Sequence, residues 1–283
     1  MAVKGVIVAA GYGTRFLPVT RCIPKEMLPI IDRPAIDFIV SEMVEAGIED
    51  ILVITSRRKR AVEDWFDRDP ELEAVFTREG ADAKLAKAQP PRARVHFIRQ
   101  REMRGTGHAI LLARTFAGND PVVVAYPDDL FGEPNCTAAL IAAWKQTGNS
   151  VLSAVDMAGH DVSRYGCVDF TGTGDVVAVR DLIEKPPVGT EPSTLVSMGR
   201  YLYTPELFEV LAELLEKHGQ GEFYATDAVS VLAAAGKVSA AIVSARRFDT
   251  GTPLAYLQTV VEFALADPEI GAEFRTFLDG LPR

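Results

Sequence analysis

The chain has 283 residues, of which 48% are hydrophobic and 24% charged, so it is long enough for one large α/β domain or two small ones. Its formal net charge of −9 and pI near 5.1 argue against nucleic acid as a partner, because a phosphate backbone needs a basic surface. No apolar run approaches the ~18 residues of a membrane span, and the N-terminus enters a strand rather than an apolar signal segment, so we expect no membrane partner.

Strands and helices alternate through the first half of the chain. Apolar patterning and turn residues predict strands at 3–9, 51–55, 94–99 and 121–126, and helices at 34–46, 57–67, 109–116 and 137–146. This order predicts a parallel sheet with helices on both faces. Residues 68–92 are charged and end in two prolines, which indicates an exposed helix and loop.

The pattern changes after residue 149. Strand-like segments occupy 150–157, 166–170, 175–183 and 195–203 with few helices between them, which predicts inserted mixed or antiparallel strands. Later elements are helices from 204, at 225–235 and at 252–265, a strand at 238–245, and a helical tail at 270–281. No linker is visible, so we expect a single domain over 1–283. The fold class is α/β, with a doubly wound, mostly parallel, Rossmann-like sheet.

The first strand runs into a glycine turn, Gly11–Arg15, and a proline-flanked segment, Pro24–Pro29, follows. Backbone N–H groups in such a turn bind anions, and the cations Arg15 and Lys25 neutralise phosphate. The string G-x-x-x-x-G-K-[ST] of a P-loop is absent. A dinucleotide fingerprint needs glycine where Phe16 stands and a helix where prolines follow. The interpretation that remains is a long ordered loop that presents Arg15 and Lys25.

The segments Ala9–Pro18 and Ile23–Pro29 closely resemble the sugar-1-phosphate nucleotidylyltransferase family. They are most similar to bacterial members that form UDP-glucose and pyrophosphate from UTP and glucose 1-phosphate. The resemblance runs from residue 3 to about residue 265. It implies a nucleotide-binding half at 1–149, mainly sugar-binding strands at 150–203, and remaining core and C-terminal helices at 204–283. A non-catalytic sugar-nucleotide regulator and a metal-dependent glycosyltransferase are the alternatives from other classes.

Two aspartates, Asp128 and Asp249, follow predicted strands at the sheet edge where ligands bind in α/β proteins. Either one alone is equally well explained as a turn residue, but together they suit Mg²⁺, which takes carboxylate and phosphate oxygens. The resemblance also makes Asp128 a metal ligand. The string Asp249–Thr252 is similar instead to relatives that use dTTP, so UTP and dTTP both stay open.

The resemblance assigns two substrate sites. The nucleotide-binding residues are Ala10, Gly11, Gly13, Thr14, Arg15, Gln100 and Gly105. The sugar-phosphate-binding residues are Gly166, Glu184, Lys185 and Gly199. A glutamine amide both donates and accepts hydrogen bonds, so Gln100 matches the edge of uracil or thymine without separating the two. Without the resemblance, Gln100 would be interpreted as a surface amide, and the Glu184–Lys185 pair as solvated charges.

The reaction expected from this resemblance is in-line attack by the phosphate of glucose 1-phosphate on the α-phosphorus of the nucleotide. The nucleophile is already an anion, so no general base and no covalent intermediate are needed. The expected catalytic residues are Arg15, Lys25, Asp128 and Lys185. Arg15 and Lys25 stabilise the triphosphate, and Lys185 holds the attacking phosphate.

The cysteines and the tail bear on location and assembly. Cys22, Cys136 and Cys167 are scattered, odd in number and without a C-x-x-C pair, so they predict neither a disulfide framework nor a zinc site. We expect a cytoplasmic protein. The 270–281 tail caps the core or forms a contact between copies, and a homodimer or homotetramer is expected.

Overall fold

A mixed α/β fold surrounds a nine-stranded sheet in the computed structural model, which describes residues 2–282. The strands are β1 Lys4–Val8, β2 Pro29–Ile30, β3 Arg33–Pro34, β4 Asp50–Thr55, β5 Arg94–Arg99, β6 Val122–Ala125, β7 Asp129–Phe131, β8 Ser150–Asp156, β9 Gly166–Thr171, β10 Val176–Glu184, β11 Leu195–Tyr203, β12 Val238–Ile242 and β13 Arg247–Asp249. The helices are α1 Ala35–Glu45, α2 Arg60–Phe66, α3 Pro70–Glu79, α4 Asp82–Lys87, α5 Thr106–Leu111, α6 Arg114–Ala117, α7 Cys136–Thr147, α8 Glu206–Lys217, α9 Ala225–Ala234, α10 Pro253–Ala266 and α11 Gly271–Asp279. Within residues 2–282, none of the helices combines the length and the apolar character that crossing a membrane requires.

The order of the large sheet is β5-β4-β1-β6-β11-β8-β12-β10-β9. Strands β5, β4, β1 and β6 are parallel, as the strand–helix alternation of the first half predicts. Strand β11 runs antiparallel to β6 and β8, and β10 runs antiparallel to β12 and β9. The α/β class is therefore confirmed, but the sheet as a whole is mixed, because β8, β9, β10 and β11 follow one another without the connecting helices that make neighbouring strands parallel.

Each face of the sheet carries its own apolar core. Side chains alternate between faces along a strand, so Val6 of β1 packs in one core and Ile7 in the other. Helices α5, α8 and α9 cover the first face, and α1, α7 and α10 pack on the second. The apolar stripe of α8, which includes Leu207, Phe208 and Leu211, is buried in the first core as its spacing predicts. Burying each such side chain contributes about 1.5–3 kcal/mol.

Several boundaries differ from the sequence prediction. The helix expected at 109–116 begins earlier, at Thr106, and is split into α5 and α6. The predicted strand at 238–245 ends at Ile242, and residues 68–92 contain two helices, α3 and α4. The short ladder between β7 and β13, which pairs Asp129 with Asp249, was not predicted. Its strands are three residues long, too short to show an alternating pattern.

A buried ion pair joins four elements beneath this ladder. The fully buried guanidinium of Arg200 in β11 donates to Glu42 of α1, with Nη2–Oε2 at 2.7 Å and Nε–Oε1 at 3.1 Å. Its Nη1 donates to the carbonyl of Asp129 at 2.9 Å and to that of Gly199 at 3.0 Å. Glu42 Oε1 also accepts from the backbone N–H and hydroxyl of Thr137, at the start of α7. Such a pair is tolerated in a core because its polar atoms are satisfied.

We expect Glu42→Gln to destabilise the protein strongly, because it leaves the Arg200 charge buried without a counter-ion. Breaking a buried pair on one side costs about 3–5 kcal/mol of unfolding free energy. Chemical denaturation of the purified variant measures this loss. The matched control is Glu209→Gln, which breaks the exposed pair with Arg114 and should change stability little. Equal losses in the two variants would contradict the assigned importance of the buried pair.

Candidate active site

The long loop predicted after β1 lies along the carboxyl ends of the parallel strands. It contains short 3₁₀ turns at Thr14–Phe16, Val19–Arg21 and Lys25–Met27. A cleft of about 370 Å³ opens beside it. The cleft brings together residues that the sequence analysis assigned to the nucleotide and the metal, namely Gly11, Thr14, Lys25, Gln100, Gly105 and Asp128. Among the other predicted nucleotide residues, Ala10 is buried behind the cleft and Gly13 turns the loop with φ 66°.

Lys25 and Asp128 form an ion pair at the floor of this cleft. Lys25 Nζ donates to Asp128 Oδ2 at 2.6 Å, and both side chains are mostly buried. Burial alone raises the pKa of Asp128, but the charges of Lys25 and then Arg15 outweigh burial and lower it below its usual value. Asp128 is therefore held as a carboxylate, with the predicted phosphate-binding cation directly beside it.

Asp128, Asp249 and Arg15 meet around Gly251. An added Cβ at Gly251 would lie 3.0 Å from Asp249 Oδ1, 3.1 Å from Asp128 Oδ2 and 3.4 Å from Arg15 Nη1. Arg15 Nη1 also donates to the carbonyl of Gly251 at 3.4 Å, and Asp249 Oδ1 accepts from its N–H at 2.6 Å. The β7–β13 ladder and a hydrogen bond from Thr250 N to the Asp128 carbonyl at 2.8 Å keep Asp128 and Asp249 close together. The two predicted carboxylates thus share one small space.

The carboxylates of Asp128 and Asp249 suit a magnesium ion. Mg²⁺ prefers oxygen ligands and uses one or two protein carboxylates, with water and substrate phosphates completing the shell. The hydrogen atom of Gly251 keeps the space between the two carboxylates free of a side chain. Across residues 2–282 no group of three or more His, Cys, Asp or Glu side chains is arranged for a metal. Two carboxylates are a donor set that suits a divalent cation whose other ligands are water and substrate oxygens.

Two further charged residues beside the site, Arg247 and Glu26, were not predicted from the sequence. Arg247 of β13 forms a salt bridge with Asp129 and lies 3.7 Å from Asp249 Oδ2. Glu26 follows Lys25 in the proline-flanked segment and is 1% exposed, and its Oε1 accepts from Lys59 Nζ at 2.6 Å. Both contacts join residues far apart in the chain, so local patterning does not reveal them. They fix the loop and the ladder on either side of Asp128.

Gly105 places the predicted base-binding side chain. It has φ 91°, and an added Cβ would lie 2.4 Å from the carbonyl oxygen of Phe223, so only glycine fits. Its own carbonyl accepts from Gln100 Nε2 at 3.2 Å. Gln100 is 5% exposed at the end of β5 and lines the cleft, so it is not the surface amide that its sequence context alone would suggest.

The predicted sugar residues lie beside this cleft rather than in it. Glu184 Oε2 lies over Gly166, 3.2 Å from the position of an added Cβ, and Lys185 Nζ is 3.6 Å from Glu184 Oε1. Both charged side chains are substantially exposed. Burial raises the pKa of Tyr126 in the cleft wall, and the charges of Asp128, Asp129 and, least, Glu184 add to the shift. Gly199 lies below the ladder against Phe131 and Asp129.

Known proteins resemble the chain over almost its whole length. The sequence profile of the family described as nucleotidyl transferase matches residues 4–264. UTP–glucose-1-phosphate uridylyltransferase of Bacillus subtilis (strain 168) is 41% identical over 282 residues, covering 98% of this chain and 96% of that protein. A UTP-bound UGPase from Acinetobacter baumannii has a TM-score of 0.91 at 33% identity and covers 100% of both chains. A UDP-glucose pyrophosphorylase complexed with UDP-glucose has a TM-score of 0.81 at 32% identity and covers 94% of this chain and 100% of the other.

We expect Lys25→Met to raise the pKa of Asp128. The lysine is the main group that opposes burial there, so its removal leaves the desolvated carboxyl easier to protonate. Carbon-detected NMR titration of the aspartate carboxyl groups measures the shift. Lys237→Met, at an exposed pair with Glu206, is the control and should leave Asp128 unchanged. An Asp128 pKa that stays low in the Lys25 variant would show that Lys25 does not hold the carboxylate.

Proposed function

Because this chain belongs to the nucleotidyl transferase family, we propose that it forms UDP-glucose and pyrophosphate from UTP and glucose 1-phosphate. The assignment of UTP and glucose 1-phosphate rests on relatives that match nearly all of the chain. The observation that carries the chemistry is the single cleft in which Gly11, Lys25 and Asp128 face one another. Phosphoryl transfer depends on positioning and charge stabilisation, and this cleft supplies both.

In the proposed reaction, a phosphate oxygen of glucose 1-phosphate attacks the α-phosphorus of UTP in line, and pyrophosphate leaves. Arg15 and Lys25 bind the triphosphate and offset the charge that builds up on the leaving group. Lys185 holds the attacking phosphate, Glu184 accepts hydrogen bonds from sugar hydroxyls, and the backbone at Gly166 and Gly199 shapes the sugar side. No general base is required because the nucleophile is already an anion.

We propose that Asp128 and Asp249 hold Mg²⁺ when substrates are bound. The ion would supply positive charge to the phosphate oxygens during transfer. Lys25 lies 2.6 Å from Asp128, so this lysine balances the carboxylate and remains beside the phosphate path. Arg247 fixes Asp129 through a salt bridge, which supports the orientation of the ladder that carries Asp249.

The cysteines support a cytoplasmic location. Cys22, Cys136 and Cys167 are all free thiols, and Cys22 is exposed. Unpaired exposed thiols persist best in a reducing compartment. We therefore propose that the reaction takes place in the cytoplasm.

The C-terminal helices support the proposed homodimer or homotetramer. Leu254 and Leu257 of α10 are 69% and 59% exposed, and Phe277 of α11 is 59% exposed. Large apolar side chains exposed on neighbouring helices are typical of contacts between protein surfaces. We propose that these helices contribute to the contact between copies.

A nucleotide assay tests the proposed function directly. With glucose 1-phosphate and Mg²⁺, we expect the protein to release pyrophosphate and form UDP-glucose from UTP, at a higher rate than it uses dTTP. The product is identified by chromatography, and a reaction without sugar phosphate is the control. Equal or faster use of dTTP would favour the thymidylyl alternative that the string Asp249–Thr252 resembles. Tight UTP binding without any product would favour a non-catalytic regulator.

We expect Gly251→Ala to change the Mg²⁺ requirement while the fold persists. The new methyl group would press on Asp128 and Asp249, and these side chains must shift by a few tenths of an ångström to admit it. The Mg²⁺ concentration for half-maximal rate should rise about tenfold or more, a scale set by the loss of about 1.4 kcal/mol of binding.

The control for this variant is Gly219→Ala, at a position where an added Cβ has open space. Its Mg²⁺ titration should follow that of the unaltered protein. A Gly251→Ala protein that titrates identically as well would remove the Asp128–Asp249 space as the metal site.

A further inference from the structure

Two hydrogen bonds inside the protein fix the amide of Gln100. Nε2 lies 3.2 Å from the carbonyl oxygen of Gly105 and 3.1 Å from Nδ1 of His108. A carbonyl oxygen only accepts, so the amide nitrogen and not the amide oxygen must face Gly105. The backbone is also fixed, because Gln100 N donates to the carbonyl of Thr55 at 2.9 Å. The orientation of this amide is therefore determined by its surroundings.

The same bonds determine the state of His108. Because Nε2 of Gln100 donates its hydrogen, Nδ1 of His108 must accept, so the imidazole is neutral and carries its proton on Nε2. Burial, followed by the charge of Arg104, lowers the pKa of His108, while Glu102 opposes this shift. The neutral form that the geometry requires is thus also the one favoured near neutral pH.

Both hydrogens of the Gln100 amide are occupied in this arrangement, which leaves its carbonyl oxygen for a ligand. We propose that His108 is a specificity-determining positioning residue that holds Gln100 so that this oxygen faces the nucleobase. The inference rests on the proposed function and deepens it. From the sequence alone we expected Gln100 both to donate to the base and to accept from it, whereas in this arrangement both amide hydrogens are used within the protein and only the oxygen is left to accept from the base.

An acceptor at this place separates uracil from cytosine. Uracil carries a hydrogen on N3 and can donate it to Gln100, whereas N3 of cytosine presents a lone pair. Two acceptors that face each other leave both groups unsatisfied in a mostly buried site. The mismatch is worth roughly ten- to hundredfold in relative use of the nucleotide. Thymine has the same N3 hydrogen as uracil, so His108 does not affect the choice between UTP and dTTP.

The test compares UTP with CTP in three proteins. In the unaltered protein we expect kcat/KM with glucose 1-phosphate and Mg²⁺ to favour UTP strongly. His108→Leu removes one of the two acceptors, so only the carbonyl of Gly105 still orients the amide, and the UTP:CTP ratio should fall about tenfold, mainly through a higher KM for UTP. His108→Asn places Oδ1 near the position of Nδ1 and should restore the ratio. A purely structural role for His108 would lower kcat for both nucleotides together.

Two results would overturn the inference. One is an unchanged UTP:CTP ratio in His108→Leu, and the other is an asparagine variant that loses as much discrimination as the leucine variant. If the leucine variant does not fold, His108→Ala removes the acceptor with less bulk. Calorimetric titration with UTP and CTP measures the same discrimination without turnover. Absence of UDP-glucose formation by the unaltered protein would count against the proposed function, while the binding ratio would still test His108.

Discussion

The buried contact between Arg200 and Glu42 is the constraint on which the rest of the site depends. Taking two charges out of water costs several kcal/mol per ion, so the pair adds little net stability relative to apolar side chains. Its value is geometric. Arg200 directs its remaining donors to the carbonyls of Asp129 and Gly199, which fixes the backbone beside Asp128 from below. The backbone next to the Asp128 carboxylate is thereby anchored to the protein core.

Paired charges make an acidic chain compatible with the proposed binding of two polyanions. The chain carries a net charge of −9, yet Lys25 lines the cleft beside Asp128, and Arg15 lies next to it against the carbonyl of Gly251. Without substrate, Asp128 neutralises Lys25, so neither charge stands alone in a mostly buried site. In the proposed reaction, phosphate would replace the carboxylate as the partner of Lys25, and a divalent cation would balance Asp128. The site would then exchange partners instead of creating or burying new unpaired charge.

The sequence predicts best what is local. The glycine turn, Lys25 and the position of Asp128 after a strand follow from short strings and from the rule that ligands bind at strand ends. The approach of Asp249 to Asp128 follows from the same rule, but the ladder that produces it was too short to predict. The pairs Arg200–Glu42 and Lys59–Glu26 were missed because their members are 158 and 33 residues apart and carry no periodic signal. Sequence patterns predict individual helices and strands, whereas these ion pairs depend on how the helices and strands pack against one another.

The surroundings of Thr250 bear on the choice between UTP and dTTP. This residue belongs to the string Asp249–Thr252, whose likeness to dTTP-using relatives left both nucleotides open. In the structure Thr250 is 6% exposed, and its hydroxyl and backbone N–H both donate to the carbonyl of Asp128, at 3.2 and 2.8 Å. It therefore stabilises the turn beside Asp128, whereas the proposed base-binding residues are Gln100 and Gly105. A residue committed to the Asp128 backbone does not read the C5 methyl that distinguishes thymine from uracil. The contacts of Thr250 therefore give no structural reason to prefer dTTP, and in the proposed site a preference for UTP would have to come from the shape around Gln100 and Gly105.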